Sequence, residues 1–243
     1  MESIEDTIYT VCIPGEGVRY EARSRIVPIM GGSHALKEDD KLSLRDQGYV
    51  FDDEKGFFSP LNSRWGELSC IHWMLLNAEE PIIGNAQYRR NWIEPSSEWY
   101  DPSILYIPEP AVFQCSLEQQ FRGGHSAFNA PAITRELADT GSWLFTRKQI
   151  DAVWAQNLFY GCNMARGPKH SYKHFMAMLF NALLPIWHKH KEAFINIEGY
   201  DKRAIAFIAE RVMSGMVLYR DSLLPKMEIA TAPIGFIHHD KPS

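Results

Sequence analysis

The chain has 243 residues, of which 45% are hydrophobic, so it is long enough to bury a full core as one large domain. Its formal net charge of -5 argues against a broad basic surface that would bind nucleic acid. The four cysteines lie far apart without a C-x-x-C pair, and the acidic N-terminus lacks the features of a signal peptide, so we expect reduced thiols and a cytoplasmic location.

The first 60 residues contain one clear strand pattern. Residues 7–13 form an apolar run that ends at Pro14 and Gly15, which is typical of the opening strand of an α/β sheet. Residues 31–60 mix Gly, Asp, Lys and Ser with few periodic apolar positions. This composition predicts a long loop over one edge of the core, and loops of that length often cover a site.

A helix and two further strands follow. Residues 62–77 carry apolar side chains at helical spacing, with Asn62 placed to cap the helix and Glu67 in its first turn. Residues 82–83 and 103–107 are short apolar runs next to prolines, which predicts strands. Strands that alternate with helices indicate an α/β sheet.

The C-terminal half is dominated by helical patterns. Apolar residues within 175–186 and 205–219 form two helical stripes, which predicts two helices that face the core. The longest apolar stretch falls short of the roughly 20 residues that a membrane-spanning helix needs. We therefore predict one domain, with an α/β core over about 1–165, a helical part over about 166–229 and a tail of loop chemistry over 230–243.

The apolar run before Tyr88, Arg89 and Arg90 predicts a buried strand that delivers two guanidiniums to a cleft. Each guanidinium offers a planar fork of donors that matches phosphate or carboxylate oxygens. A diphosphate is therefore the first ligand to consider. The alternative interpretation is a solvated strand edge or a structural ion pair.

Other patterns give less support to metal or nucleotide chemistry. The nine histidines have no further ligand at a recognised spacing, so we interpret them as solvated. The acidic doublets Asp39-Asp40 and Asp52-Asp53 are expected in polar loops and not at strand ends, which favours solvation over a divalent cation. The chain has no P-loop, no G-x-G-x-x-G and no G-x-S-x-G motif.

His125 follows Arg122, Gly123 and Gly124, which predicts a flexible turn. An imidazole on such a turn is suited to bind or deprotonate a hydroxyl. The alternative is an exposed loop histidine without a chemical role.

Several segments are notable for their order and spacing. They are Arg25-Ile-Val-Pro-Ile-Met-Gly-Gly32, Leu44-Arg-Asp46, residues 62–77, Gly84-Asn-Ala-Gln-Tyr-Arg-Arg90, Ser116-Leu-Glu-Gln-Gln-Phe121 with His125, Gln156-Asn-Leu-Phe159 and residues 203–211. Together they cover most of the chain and resemble a family of bacterial sugar transferases that was long catalogued as a domain of unknown function. That family is associated with galactofuranose transfer in the synthesis of capsule, exopolysaccharide and O-antigen.

The resemblance implies a GT-A-like α/β nucleotide-sugar transferase fold with C-terminal helices packed on the sheet. It implies a nucleoside-diphosphate sugar as donor, first of all a UDP-sugar, and a hydroxyl of a glycan or lipid-linked glycan as acceptor. Galactofuranosyl transfer in the family is expected to invert the anomeric centre. Such an enzyme is expected in the cytoplasm, where peripheral association with the inner face of the membrane is compatible with its acceptor.

The resemblance also implies roles for side chains. Many GT-A enzymes hold the donor diphosphate through an Asp-x-Asp and a metal, whereas the comparable strand here ends in Tyr-Arg-Arg. We therefore expect no required cofactor and no metal site, because guanidiniums can take the electrostatic role of the metal. The expected donor-binding residues are Asn62, Tyr88, Arg89, Arg90, Asn157, Glu210 and Arg211, with a structural ion pair as the alternative for Glu210. The candidate general bases are Asp46, Glu67, Glu118 and His125.

Two positions depart from the family pattern. The family has His where this chain has Gln87, and an acid where this chain has Asn129, four residues after His125. The second departure puts the general base in question, because inversion by direct displacement needs a base near the acceptor hydroxyl. The segment 49–60 also departs from the family pattern, so the family's loop over the site cannot be assigned to residues of this chain.

Two other functions remain open at this point. A transferase of the same chemistry would act on hydroxymethylated bases of viral DNA, although the acidic composition counts against a DNA acceptor. A sugar-nucleotide-binding or glycan-binding module without turnover would follow if Asn129 marks a lost base.

Overall fold

The structure is a computed structural model that describes residues 6–18, 20, 22–93 and 101–237. Its described strands are β1 Asp6–Cys12, β2 Arg25–Met30, β3 Val50–Phe51, β4 Ile82–Gln87, β5 Arg90–Trp92, β6 Leu105–Pro108, β7 Ala111–Val112, β8 Leu158–Phe159, β9 Arg166–Pro168, β10 Ile229–Ala232 and β11 Ile234–Phe236. The main sheet has the order β10-β6-β9-β4-β1-β2-β3, and β5 joins it through β4 and β11. Strands β7 and β8 form a separate small ladder.

Helices pack on the sheet and make up most of the C-terminal half. They are α1 Glu38–Arg45, α2 Asn62–Trp65, α3 Leu68–Asn77, α4 Leu117–Gly124, α5 Ala130–Ala138, α6 Arg147–Ala155, α7 Lys169–Ile195, α8 Ala204–Leu218 and α9 Arg220–Leu223. Short 3-10 segments lie at Ser33–Ala35, Ser59–Leu61 and Gly199–Arg203. The two predicted core-facing helices are confirmed as α7 and α8, whose apolar stripes are buried in the main hydrophobic core.

Strand β1 is the centre of the parallel part of the sheet. It pairs in parallel with β2 on one side and with β4 on the other. The chain runs from β1 through β2 to β3 and then returns to place β4 on the opposite side of β1. Ligands of open α/β sheets bind in the crevice beyond the carboxyl ends of strands at such a reversal. The carboxyl ends of β1 and β4 are therefore where a site is expected.

The interior of β4 is tightly packed on both faces. All residues from Ile83 to Gln87 are buried, as expected for a central strand. A Cβ added at Gly84 would lie 2.8 Å from the Cβ of Arg166 on the neighbouring β9. Arg166 is itself buried and paired with Asp6 of β1. Glycine at position 84 therefore lets β9 pack closely against β4, the strand that leads into the Tyr88-Arg89 turn.

Three expectations from the sequence are wrong. The segment 31–60 is not one long loop, because it contains α1 and β3. The helix expected over 62–77 is broken into α2 and α3 at Gly66, whose φ of 55° few other residues adopt. The tail is not all loop, because β10 pairs with β6 and β11 with β5, while residues 238–243 lie outside the described part.

In the described part of the chain, we find no helix with both the length and the apolar character that a membrane crossing would require.

Candidate active site at the carboxyl edge of the sheet

Asp52 organises the turns that follow β2 and β3. It is fully buried and accepts hydrogen bonds from the backbone N–H groups of Gly32 and Ser33, at 2.9 and 3.0 Å. The hydroxyls of Ser59 and Ser69 lie 2.5 and 2.6 Å from its two carboxylate oxygens. The interpretation of the doublet as a solvated loop is therefore wrong for Asp52, which follows β3 directly. Its oxygens are occupied by donors, so it acts as a structural brace.

A cavity of about 420 Å³ opens beyond the ends of β1 and β2. Its walls include Ile13, Met30, Leu44 and Tyr49, and the ring of Tyr88 packs against the same apolar cluster. Small-molecule sites commonly measure roughly 300 to 1,000 Å³ and are lined mainly by apolar side chains. The cavity thus has the size and lining for a flat organic group, next to the Tyr-Arg-Arg sequence.

The Tyr88-Arg89 turn connects β4 to β5 and divides the two arginines between different neighbours. The N–H of Tyr88 donates to the carbonyl of Val11 at 2.9 Å, which fixes the turn against the end of β1. Arg89 is exposed, with its guanidinium 5.0 Å from the centre of the Tyr88 ring. Arg90 is half-buried and donates to the neutral side-chain oxygen of Gln87. Its Nε is buried and has no hydrogen-bond partner among the described residues.

A turn at Cys162 and Asn163 gathers polar side chains around Arg90. The carbonyl of Cys162 accepts from Gln87 Nε2 at 2.8 Å, and its N–H donates to Glu210 Oε1 at 2.7 Å. Asn163 Nδ2 donates to Glu67 Oε1 at 2.7 Å. Gln87 thereby joins Arg90 to the turn that also holds the carboxylates of Glu67 and Glu210.

The backbone of this turn is unusual. Cys162 and Asn163 have φ values of 75° and 48°, in the left-handed region that residues other than glycine seldom adopt. Such conformations persist where surrounding contacts hold them, and they are frequent at functional sites. No chemical motif in the sequence marks this turn, and its partners lie 48 to 96 residues away along the chain. Sequence reasoning therefore missed Cys162 and Asn163.

Glu210 and Arg211 tie α8 to this group. Glu210 Oε2 lies 3.0 Å from Arg211 Nη1, which is the structural ion pair that the sequence suggested. Glu210 also accepts from the N–H of Cys162, so the same carboxylate links α8 to the Cys162 turn. Burial raises the pKa of Glu210, although Arg211 opposes the shift. Arg211 extends away from Arg90 to Gln120 of α4, at 2.6 Å, and lies over the ring of Phe159.

His125 is not an exposed loop histidine. It follows α4, is only 8% exposed, and its Nδ1 lies 2.8 Å from Asp201 Oδ1. Asp201 Oδ2 accepts from the N–H of Ala127 at 3.0 Å. Burial lowers the pKa of His125, and Asp201 opposes that shift. The acid that the family pattern places at position 129 is absent, but Asp201 lies beside this histidine instead.

The remaining candidates are not gathered around Arg90. Asp46 is exposed at the end of α1. Glu118 is paired with Arg135 at 2.7 Å on the helical side. Asn157 is exposed and donates to the carbonyl of Phe113 next to the small ladder, and Asn62 donates to Gly66 and Ser69. Asn62 therefore shapes the turn before Glu67.

Histidine, cysteine and carboxylate side chains of the described residues nowhere form a group of three or more that could hold a metal ion. Neither Asp52 nor the pair of carboxylates at the Cys162 turn, Glu67 and Glu210, belongs to such a group.

No family model matches the chain, and no curated protein matches its sequence. Among solved structures, it is similar to the apo structure of the bifunctional glycosyltransferase WbbM, with a TM-score of 0.68. The match covers 97% of this chain at 18% sequence identity. The chain shares its fold with a glycosyltransferase.

The chain spans 46% of the length of that WbbM chain, so it corresponds to about half of a bifunctional protein. The likeness confirms the predicted fold class, an α/β fold with a mostly parallel sheet and helices packed on it. At 18% identity the likeness concerns the fold, and the chemistry has to be argued from the residues.

Proposed function

We propose that this protein is a glycosyltransferase that moves a sugar from a nucleoside-diphosphate donor to a hydroxyl of a glycan or lipid-linked glycan. The observation that carries the proposal is the turn at the carboxyl end of β4, where two guanidiniums follow Tyr88. Arg90 is joined through Gln87 to the Cys162 turn, whose Asn163 bonds to the carboxylate of Glu67. The fold supports it, because WbbM is a glycosyltransferase. The resemblance of the sequence to galactofuranose transferases favours a furanosyl donor and UDP as the nucleotide.

The donor fits along the sheet edge in three parts. The nucleoside occupies the cavity beside Tyr49 and Tyr88, where apolar walls suit a base. The diphosphate lies across the Tyr88-Arg89 turn, where guanidiniums match its oxygens bidentately. Arg90 supports this placement, because its described hydrogen-bond partner is a neutral amide and its Nε is unpartnered. The transferred sugar then reaches Glu67 and Asn163.

The reaction is a single displacement at the anomeric carbon. The acceptor oxygen forms a bond to that carbon while the bond to the diphosphate oxygen breaks, and the diphosphate leaves with the bonding electron pair. The hydroxyl proton passes to a carboxylate base, and attack from the opposite face inverts the centre. We assign Glu67 as the general base, because the hydrogen bond from Asn163 holds one of its carboxylate oxygens at the Cys162 turn. His125 remains a candidate on the acceptor side.

The guanidiniums provide the charge stabilisation that a metal gives in other transferases. Fixed cations at the departing diphosphate act where negative charge develops in the transition state. The doublet that follows β3 does not offer free ligands, because Asp52 is occupied by backbone and serine donors and Asp53 pairs with Lys41 at 2.5 Å. Asp40 of the other doublet lines the cavity, but it belongs to no group of three possible metal ligands among the described residues. We therefore propose transfer that needs no divalent cation.

The proposal is tested with purified protein and a set of nucleotide sugars: UDP-galactofuranose, UDP-galactose, UDP-glucose and GDP-mannose. We expect at least one to raise the melting temperature, because a ligand that binds the native state stabilises it. We expect the same donor to release nucleoside diphosphate. Absence of both effects for every donor would contradict the proposal, and stabilisation without release would indicate a binding module.

A further inference from the structure

Tyr200 presents an aromatic ring to solvent beside the His125–Asp201 pair. The ring is 65% exposed although it lies in the ordered 3-10 segment Gly199–Arg203. It stacks on His125 with a centroid distance of 5.8 Å and an angle of 6°, and it lies 5.0 Å from the ring of Phe207. Packing against these rings fixes Tyr200, so its exposure is not that of a freely rotating side chain.

A cation borders this ring. The guanidinium of Arg203 lies 5.3 Å from the ring centre of Tyr200 and 5.5 Å from that of Phe207. In the described part of the chain, Arg203 has no carboxylate partner within 4.0 Å. An aromatic face with a donor fork at its edge suits a ligand that has both C–H faces and oxygen acceptors, and a sugar ring has both.

His125 adds a hydrogen-bond acceptor next to the ring. Burial acts to raise the pKa of Asp201, but hydrogen bonds from His125 and the backbone outweigh it and the pKa is lowered, so Asp201 is a carboxylate that accepts a hydrogen bond from Nδ1–H of His125. The neutral imidazole then carries a lone pair on Nε2. His125 also lines a cavity of about 320 Å³ together with Ser126 and Phe128. A hydroxyl of a sugar bound on Tyr200 can donate to Nε2.

The 3-10 segment that carries Tyr200 leads directly into α8, and α8 carries Glu210. A Cβ placed at Gly66, directly before Glu67, would lie 3.7 Å from Cδ of Arg203. One turn further along α8, Phe207 packs on His125 at 4.2 Å, and Glu210 follows with its bond to the Cys162 turn. The segment that carries Tyr200 and Arg203 therefore contacts the turn before Glu67, and neither Tyr200 nor Arg203 lines the cavity beyond β1 and β2.

We propose that Tyr200, Arg203 and His125 form the subsite that binds the carbohydrate acceptor, an inference that rests on the proposed glycosyl transfer. The sugar ring stacks on Tyr200, Arg203 donates to its oxygens, and Nε2 of His125 accepts from one of its hydroxyls. Asp201 is a positioning residue that sets the tautomer of His125. The acceptor hydroxyl that reacts is then directed towards Glu67.

The test compares Tyr200→Ala and Tyr200→Phe in kinetic assays in which donor and acceptor are varied separately. We expect Tyr200→Ala to raise the acceptor KM roughly tenfold, which corresponds to about 1.4 kcal/mol, while donor affinity changes less than about twofold. Tyr200→Phe keeps the ring and should retain the wild-type acceptor KM. Phe57→Ala removes a ring that is 79% exposed elsewhere and is the matched control.

A second measurement separates this proposal from the proposed function. Saturation-transfer NMR without donor uses methyl β-D-galactopyranoside, methyl α-D-glucopyranoside and methyl α-D-mannopyranoside as probes. Signals with wild-type protein that disappear in Tyr200→Ala support the subsite even if no donor is turned over. An unchanged acceptor KM in Tyr200→Ala, or glycoside signals that survive the substitution, would overturn the subsite and leave glycosyl transfer standing. If wild-type protein neither binds a glycoside nor uses an acceptor, the subsite is also wrong.

Discussion

Arg89 and Arg90 are adjacent in sequence, yet they contact different parts of the site. Arg89 lies over the ring of Tyr88, whereas Arg90 bonds to Gln87 near the Cys162 turn. A diphosphate that crosses the turn would meet both guanidiniums. A lysine keeps the charge but cannot reproduce the planar fork.

We therefore expect Arg89→Lys and Arg90→Lys each to lower kcat/KM for the nucleotide-sugar donor by about ten- to a hundredfold, or about 1.4 to 2.8 kcal/mol. The control is Arg147→Lys, which changes an exposed arginine paired with Asp139 and Asp151 on α6. Steady-state kinetics with varied donor give the answer. If both site variants keep wild-type kinetics, the arginines of this turn do not bind the diphosphate.

Glu67 and Asp46 are alternative bases with different surroundings. Glu67→Gln preserves an oxygen that can accept from Asn163, so the fold and donor binding should persist. Turnover with acceptor should fall by at least about a hundredfold, since a positioned general base typically contributes 10² to 10⁴. Asp46→Asn, at the exposed end of α1, should leave turnover unchanged. If Asp46→Asn lowers turnover and Glu67→Gln does not, Asp46 is the general base.

His125 gives a pH dependence of stability with a defined sign. Burial lowers its pKa in the folded state, and the positive charge of Arg211 acts in the same direction, while Asp201 opposes both. As the pH falls below the unfolded value of about 6.5, the unfolded state binds the proton first and the free energy of unfolding decreases. Below the pKa of His125 in the folded state, both states are protonated and His125 causes no further decrease in the free energy of unfolding.

Urea denaturation between pH 5 and pH 8 measures this effect. We expect the wild-type free energy of unfolding to fall more steeply below pH 6.5 than that of His125→Gln. His72 also has a pKa lowered by burial, but it is present in both proteins, so the difference isolates His125. Parallel pH profiles would show that His125 is not held neutral by the fold.

At the scale of secondary structure, β4 is the element that positions the arginine turn. Its burial on both faces requires Gly84, because a Cβ there would lie 2.8 Å from Arg166 Cβ and 2.9 Å from Ile8 Cδ1. Overpacking of this kind in a core typically costs about 1 to 3 kcal/mol.

Gly84→Ala should therefore lower the free energy of unfolding by about 1 to 3 kcal/mol. Gly123→Ala is the matched control, because no atom lies within 4 Å of its added Cβ and it belongs to α4. An alanine in a helix interior is favoured over glycine by roughly 0.5 to 1 kcal/mol, so the control should be neutral or stabilised. Equal stability of the two variants in thermal or urea denaturation would show that β9 adjusts without cost.

Elements with regular apolar patterns were predictable from the sequence, and elements without them were not. Helices α7 and α8 have long buried stripes, and β1 is a run of mainly aromatic, β-branched and apolar residues that ends at Pro14 and Gly15. In contrast, α1 carries apolar side chains only at Leu42 and Leu44, so its composition resembled a loop. Strands β10 and β11 are four and three residues long and depend on pairing with distant strands.

The site was predictable only where it is local in sequence. The Tyr-Arg-Arg turn could be identified because a strand pattern precedes it directly. The contacts of Asn163 with Glu67 and of His125 with Asp201 span 96 and 76 residues, so they follow from the packing of α8 and its preceding segment. The acceptor subsite at Tyr200 depends on the same packing and has no signature of its own.

At the scale of the whole molecule, the three parts of the proposed site belong to different elements. The proposed nucleotide cavity lies beyond β1 and β2, the arginine turn lies at the end of β4, and the proposed acceptor subsite lies at the 3-10 segment Gly199–Arg203 before α8. The formal net charge of the chain is -5, so attraction of a diphosphate depends on local guanidiniums and not on the average charge. The central claim is that these guanidiniums bind the diphosphate in place of a metal.

Isothermal titration of UDP and of uridine in the presence of EDTA tests that claim most directly. The account predicts that wild-type protein binds UDP at least about tenfold more tightly than uridine without any divalent cation. It predicts that the difference disappears when Arg89→Lys and Arg90→Lys are combined. Equal affinity for UDP and uridine, or UDP binding that appears only after Mg²⁺ or Mn²⁺ is added, would contradict it.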